Sequence, residues 1–332
     1  MKPIKRILAG MAAAASLLAL SGCSSQGLDP NHLLVAHSHN ESHPVNVGMT
    51  TLCDEVSEKT QYTFSIYPNG QLGGNEEMIQ MVKAGVLDVA KVSSSSLEQF
   101  NPAYAIFSLP YTFQSTEHYF RTMRESEAVQ EIFRSTYDDG FIAIGWFDSG
   151  ARSIYTTKDG PCETPEDLHG LKIRTQGSPT SIEMINNMGG AATPMSSGEV
   201  YTSLQQGIID GAENNETVLV DDGHGEVAKS YTYTQHQYTP DIVIISVETW
   251  ESMSEADQQA ILDAMDDAWE AHEQKWLEIV DRNIEGAKEM GVQFYTIDKT
   301  PFIEAVASQQ QEFCAASEDN ARYFADFLSY VD

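Results

Sequence analysis

The sequence predicts an α/β protein of two lobes braced by one long helix. Three observations carry that prediction. Short apolar strand patterns alternate with helical ones near the start of the chain, the same alternation resumes after Gly150, and residues 254–290 read as a helix too long for one lobe. The 332 residues are 41% hydrophobic and 20% charged, an ordinary globular composition that excludes collagen, low-complexity disorder and a disulfide scaffold.

Leu33–Ala36 reads as a short strand, and Pro44 opens a helix to about Lys59 with Val47, Leu52 and Val56 toward the core. Tyr62–Tyr67 alternates as a strand and ends in the turn Pro68-Asn69-Gly70. Glu76–Ala84 is helical, Gly85 caps it, and Val86–Val92 is the next strand. This spacing predicts βαβ units and a largely parallel sheet. Further on, Phe141–Phe147, Ser153–Tyr155, Leu171–Arg174 and Asp241–Val247 read as strands, and Ser178–Met188 and Glu199–Gln206 as helices that stop at glycines. In Ser254–Met290, Ile261, Met265, Trp269, His272, Trp276, Val280 and Ile284 recur at three- and four-residue steps over roughly 50 Å. The last forty residues are helical again after Pro301. The chain crosses between lobes near Gly150, near Tyr238 and through the long helix.

At the N-terminus, Lys2, Lys5 and Arg6 precede the uncharged run Ile7–Leu20 and the tetrapeptide Leu20-Ser21-Gly22-Cys23. This is the layout of a secretory signal. Small residues directly before a cysteine resemble a lipobox, so residues 1–22 are expected to be a lipoprotein signal peptide, Cys23 the lipidated residue and 23–31 a tether. No later segment approaches the roughly 18 apolar residues of a membrane span. Cys53, Cys162 and Cys314 cannot complete a disulfide framework and are too far apart in sequence to read as a zinc site.

The formal charge is −30, from 19 Lys+Arg against 49 Asp+Glu. No basic patch of useful size survives on such a surface, so nucleic acid is excluded as a partner; the acidity favours a soluble monomer. No nucleophile elbow, Walker loop, H-E-x-x-H or dinucleotide fingerprint occurs, and no cofactor is implied. Gly70–Gly74 lacks the Lys-Ser/Thr of a phosphate loop and reads as a tight turn. His37, His39 and His43 crowd one loop without a distant carboxylate partner, so no metal is expected there. Arg152 and Arg174 stand out in a chain poor in arginine. Arg174 ends a strand, where ligands sit in open α/β sheets, and guanidinium forks onto carboxylates through two hydrogen bonds. The alternative for each arginine is a structural ion pair with a local acid.

Around these residues the sequence resembles the DctP family of extracytoplasmic solute-binding proteins of TRAP transporters, from about Leu34 to the end of the long helix. The resemblance rests on Tyr67-Pro68-Asn69-Gly70-Gln71-Leu72-Gly73, Leu109-Pro110-Tyr111-Thr112-Phe113, Pro165 through Arg174, Pro194 through Tyr201 and Leu204 through Asn214, in this order. It implies a two-lobed periplasmic-binding-protein-like fold that closes around an organic acid, with residues 32–150 and 240–280 in lobe I and 151–239 and 281–332 in lobe II. Arg174 would clamp the ligand carboxylate, Arg152 would assist, and Asn214 would bond the same ligand. Where many members carry an aromatic residue, this chain has Ser196-Ser197-Gly198, which leaves room for a wider or more hydroxylated ligand. Ser93, His39 and His236 complete the expected ligand set. The segment Asp148–Tyr155 looks similar to uronate-binding members and favours a sugar acid such as glucuronate or galacturonate over a C4-dicarboxylate or keto acid. Membrane permease subunits are the implied partners. The competing readings are a binding module linked to a sensor and, in another class, a secreted hydrolase or lyase using Glu213, Asp210 or His236.

Overall fold

The computed structural model describes residues 29–331. The expected signal peptide, Cys23 and most of the tether lie outside the described residues. Two sheets form the framework. The first has the strand order β2-β1-β3-β10-β4, from Thr63–Tyr67 (β2), His32–Ala36 (β1), Val89–Ser93 (β3), Asp241–Ser246 (β10) and Phe141–Phe147 (β4). The second has the order β11-β9-β5-β8-β6-β7, from Gln293–Thr296 (β11), Ser230–Tyr238 (β9), Ala151–Thr156 (β5), Gly211–Asn214 (β8), Lys172–Thr175 (β6) and Ala191–Pro194 (β7).

The sheets are largely parallel, as the spacing predicts, each interrupted by one antiparallel strand, β10 in the first and β5 in the second. β1 runs parallel to β2 and β3, but β10 is antiparallel to both β3 and β4. The reason is the route of the chain. β10 follows β9 directly across the junction Thr239–Pro240, so it enters the first sheet from the junction end and runs away from it. β4 ends at the same junction and hands over to β5, which is antiparallel to β8 and β9 for the corresponding reason. The C-terminal ends of β1 and β3 in one sheet, and of β6 and β8 in the other, therefore face the space between the lobes, the region where open α/β sheets hold ligands.

Local chemistry explains the main helices. Pro44–Lys59 starts on proline, with His43 Nδ1 accepting from the Val45 amide at 3.2 Å. Its buried stripe is Val45, Met49, Leu52, Cys53 and Val56, turned relative to the expected face so that Val47 is only half-buried. The long helix runs Glu255–Glu289, capped by the Ser254 hydroxyl on the Asp257 amide at 3.2 Å. Ile261, Ala264, Met265 and Ala268 pack into the core of the first lobe, whereas Ala287 packs into that of the second, so one element braces both.

Each sheet buries apolar residues on both faces. Met49, Val56 and Phe147 lie in one cluster of the first lobe and Phe107, Tyr119 and Ile244 in the other. The helix Thr300–Ala316 departs from the expected assignment of 281–332 to lobe II. Its Phe302 and Val306 pack with Leu168 and Ile173 of the second lobe, but its Phe313 joins the first-lobe cluster. The following helix, Glu318–Leu328, inserts Tyr323 and Phe327 there, with Phe327 5.7 Å from Phe107 and 5.6 Å from Phe113 between ring centroids. The C-terminus thus returns to lobe I and makes a fourth connection, because its aromatic stripe finds its apolar partners there.

Candidate functional site

A cavity of about 860 Å³ opens between the two sheets. The first lobe contributes His39 from the loop after β1, Lys91 and Ser93 from β3, Asp241 from the start of β10, and Asn75, Glu76 and Glu77 from one helix N-terminus. The second contributes Arg174 and Gln176 at the end of β6, Met195–Gly198 after β7, Asn214 at the end of β8, and Asp222 with His224. A separate hollow of about 800 Å³ lies along β4, but its Arg124 is stacked 3.9 Å from the Trp269 ring.

Arg174 is only 4% exposed. Its Nε and Nη2 both donate to the Met195 carbonyl, at 3.1 and 2.8 Å, so the cation is held in place by a neutral acceptor. Burial pulls its pKa down, opposed by the more distant Glu213 charge. A guanidinium stays charged regardless. A permanent buried cation whose bonds go to a carbonyl is short of a counter-charge.

Arg152 behaves differently. Its Nε donates to Glu213 Oε2 at 2.5 Å and its Nη2 to Glu213 Oε1 at 3.0 Å. Both side chains are buried. Burial alone would raise the Glu213 pKa, but Arg152, with help from His236, holds it down at about 2. His236 Nε2 lies 3.5 Å from the same carboxylate, and its Nδ1 pairs with Thr234 Oγ1 at 2.8 Å. Burial lowers the His236 pKa. Neither Arg152 nor His236 lines the cavity. Arg152 reaches it through Asn214, whose Oδ1 accepts from Arg152 Nη1 at 2.8 Å, from the Asn215 amide at 2.9 Å and from Asn215 Nδ2 at 3.4 Å. With Oδ1 accepting all three, the amide orientation is set and Nδ2 remains as a donor.

Of the six residues expected to touch a ligand, the fold brings Arg174, Asn214, Ser93 and His39 to one cavity and sets Arg152 and His236 behind its wall. The reason is charge. A buried carboxylate sits between the arginine and the histidine, and the stronger cation closes on it. The sequence reading missed Lys91, Asp241, Asn75 and Gln176. A lysine inside the apolar strand Val89-Ala90-Lys91-Val92 was the available signal, since ammonium groups are rarely buried without purpose. In the histidine loop, His39 stacks on His43 at 3.9 Å and His37 Nε2 pairs with Asn46 Oδ1 at 3.1 Å. Burial, then the Lys91 charge, lowers His37 to about 3, so its ring is neutral. Among the described residues no group of three His, Cys, Asp or Glu side chains is arranged to hold a metal ion.

Two lobes joined by several crossings, with a cavity between strand ends lined by many charged and polar side chains, define a binding protein that encloses a small solute. The chain belongs to the DctP family, bacterial extracellular solute-binding protein family 7, which it matches over residues 35–317; these are the solute-binding components of TRAP transporters. It is 42% identical over 295 residues to YiiZ of Salmonella typhimurium, covering 88% of this chain and 90% of that one. A TRAP solute-binding protein from Anaerococcus prevotii, solved with bound D-glucuronate, superposes with a TM-score of 0.88 at 41% identity, over 90% of this chain and 98% of that one. One from a Sulfitobacter species, solved with β-D-galacturonate, gives 0.85 at 31% identity, over 89% and 99%.

Proposed function

We propose that this protein captures a hexuronate, D-glucuronate or D-galacturonate, and delivers it to the membrane subunits of a TRAP transporter, catalysing nothing itself. The observation that carries the reading is Arg174, a cation buried in the cavity wall with only a carbonyl to satisfy it. A ligand carboxylate supplies the missing charge through two parallel hydrogen bonds, and Asn214 Nδ2 adds a donor. Lobe closure strengthens the pair by removing water.

The rest of the cavity selects among carboxylates. Glu76, Glu77, Asp222 and Asp241 also line it. A second carboxylate on the ligand would meet these like charges, whereas sugar hydroxyls donate to them. The uronate-bound relatives support the same choice. The protein acts as a monomer outside the cytoplasm, tethered by a lipid on Cys23.

Calorimetry of the purified protein with D-glucuronate, D-galacturonate, succinate and pyruvate tests the proposal. Tight binding of a uronate with the ligand recovered unchanged is expected. Binding confined to succinate or pyruvate, or a new product, overturns it. The anchor is tested by Cys23→Ser, which should release the protein from the membrane fraction.

A further inference from the structure

The first-lobe wall of the cavity holds a buried ion pair outside the expected ligand set. Lys91 is 1% exposed, and its Nζ lies 3.0 Å from Asp241 Oδ1. The other carboxylate oxygen, Oδ2, is 3.6 Å from His39 Nε2, too long for a good hydrogen bond. Strand geometry assembles the group. Lys91 and Ser93 are two apart on β3 and share a face, and the antiparallel register sets Asp241 opposite Ser93 and Val243 opposite Lys91. All four side chains, His39 included, line the cavity.

Structure alone gives no reason for the pair. Its neighbours on the two strands are Val89 and Val243, both buried in an apolar cluster. A buried ion pair is commonly no more stabilising than apolar residues of the same volume. Nor is its hydrogen bonding complete. The ammonium carries three donors and pairs with one carboxylate oxygen, while the Ser93 hydroxyl is buried with no partner in the protein. Asn75 Oδ1 and Gln176 Oε1, at the same cavity, are also unpartnered. Charge balances locally between Lys91 and Asp241, so the group has no net appetite for a second anion. It offers donors and an acceptor together, which is what a vicinal diol requires.

Resting on the sugar-acid reading above, we infer that Lys91, Asp241 and Ser93 form a second subsite that reads adjacent ring hydroxyls of the ligand whose carboxylate Arg174 holds. Lys91 and Ser93 donate to hydroxyl oxygens, and Asp241 Oδ2 accepts a hydroxyl proton. The ligand class is therefore a pyranose acid with a vicinal diol distal to its carboxylate, and discrimination among sugar acids resides here rather than at the arginine.

The test is calorimetry of D-glucuronate on the wild type and on Lys91→Met/Asp241→Leu, which removes both charges together, with thermal melting of the unliganded proteins. The variant should melt no lower than the wild type yet bind glucuronate at least about thirtyfold more weakly. Affinity within about threefold of wild type overturns the inference. Should the double variant not fold, Asp241→Asn keeps the side-chain shape and is expected to lose about tenfold, unchanged affinity being the refuting result. Failure of the wild type to bind any uronate would instead strike the sugar-acid reading, so the two failures are distinguishable.

Discussion

Replacing Arg174 by alanine removes the cation that, among the described residues, the second-lobe wall presents to the cavity. A hydrogen bond to a charged group contributes about 1.5–3 kcal/mol, and stranding a buried charge without its partner costs about 3–5 kcal/mol. A ligand carboxylate enclosed in the variant would be in that position. At about 1.4 kcal/mol per factor of ten, affinity should fall between a hundredfold and a few thousandfold. Stability should move little. In the free protein the guanidinium is itself buried and satisfied only by the Met195 carbonyl, so its removal relieves a desolvation cost as well as losing two hydrogen bonds. Calorimetry with D-glucuronate and melting of the free protein separate the two effects. The expected pattern is a lost ligand response with an unchanged melting temperature. Arg174→Lys should also weaken binding by about tenfold or more, because a point charge cannot fork onto a carboxylate. Affinity within about fivefold of wild type in the alanine variant would refute the argument.

Three further outcomes follow from the geometry. The Glu213 carboxyl, held at about 2 from an ordinary 4.5, contributes stability that is complete above 4.5 and lost as pH falls through about 2. Urea unfolding across that window should show the decline, and Glu213→Gln should flatten it while lowering stability at neutral pH, because Arg152 is left buried without its partner; an unchanged slope would count against the pair. Gly150 at the first crossing has φ +67°, and an added Cβ would lie 2.9 Å from the Trp276 ring, so Gly150→Ala should lower unfolding free energy by about 1–2 kcal/mol or more; equal stability would be contrary. Burial pushes the Cys53 and Cys162 thiols up to about 12 and about 11, while Cys314 is only half-buried. In a Cys23→Ser background, a thiol reagent should label Cys314 in the native protein and the other two only after unfolding.

Chain order and local pattern were enough to read much of the framework. Ser178–Met188, stopped by a glycine, announced a helix, and the structure forms Pro179–Asn187 there, capped by the Ser178 hydroxyl on the Ser181 amide. The apolar stripe of 254–290 announced the brace, and Arg174 was legible because it stands at the end of a strand in a chain poor in arginine. These signals lie within a few residues of the features they mark, so no knowledge of distant contacts is needed.

The fate of Arg152 was not legible in the same way. Its partner lies 61 residues away, and only the pairing of β5 with β8 brings Ile154 opposite Glu213 and closes the ion pair. Arg152 and Arg174 look alike in sequence, yet one has a carboxylate within reach and the other a carbonyl. The same holds for Lys91 and Asp241, which become neighbours only when β10 returns from the second lobe and pairs with β3 in reverse. Residue types and local periodicity thus determined that the chain would make two α/β lobes with a cationic strand end between them. Which charges cancel within the protein, and which are left for a guest, was decided by long-range strand register, because burial makes the cost of a charge depend on what stands next to it in space.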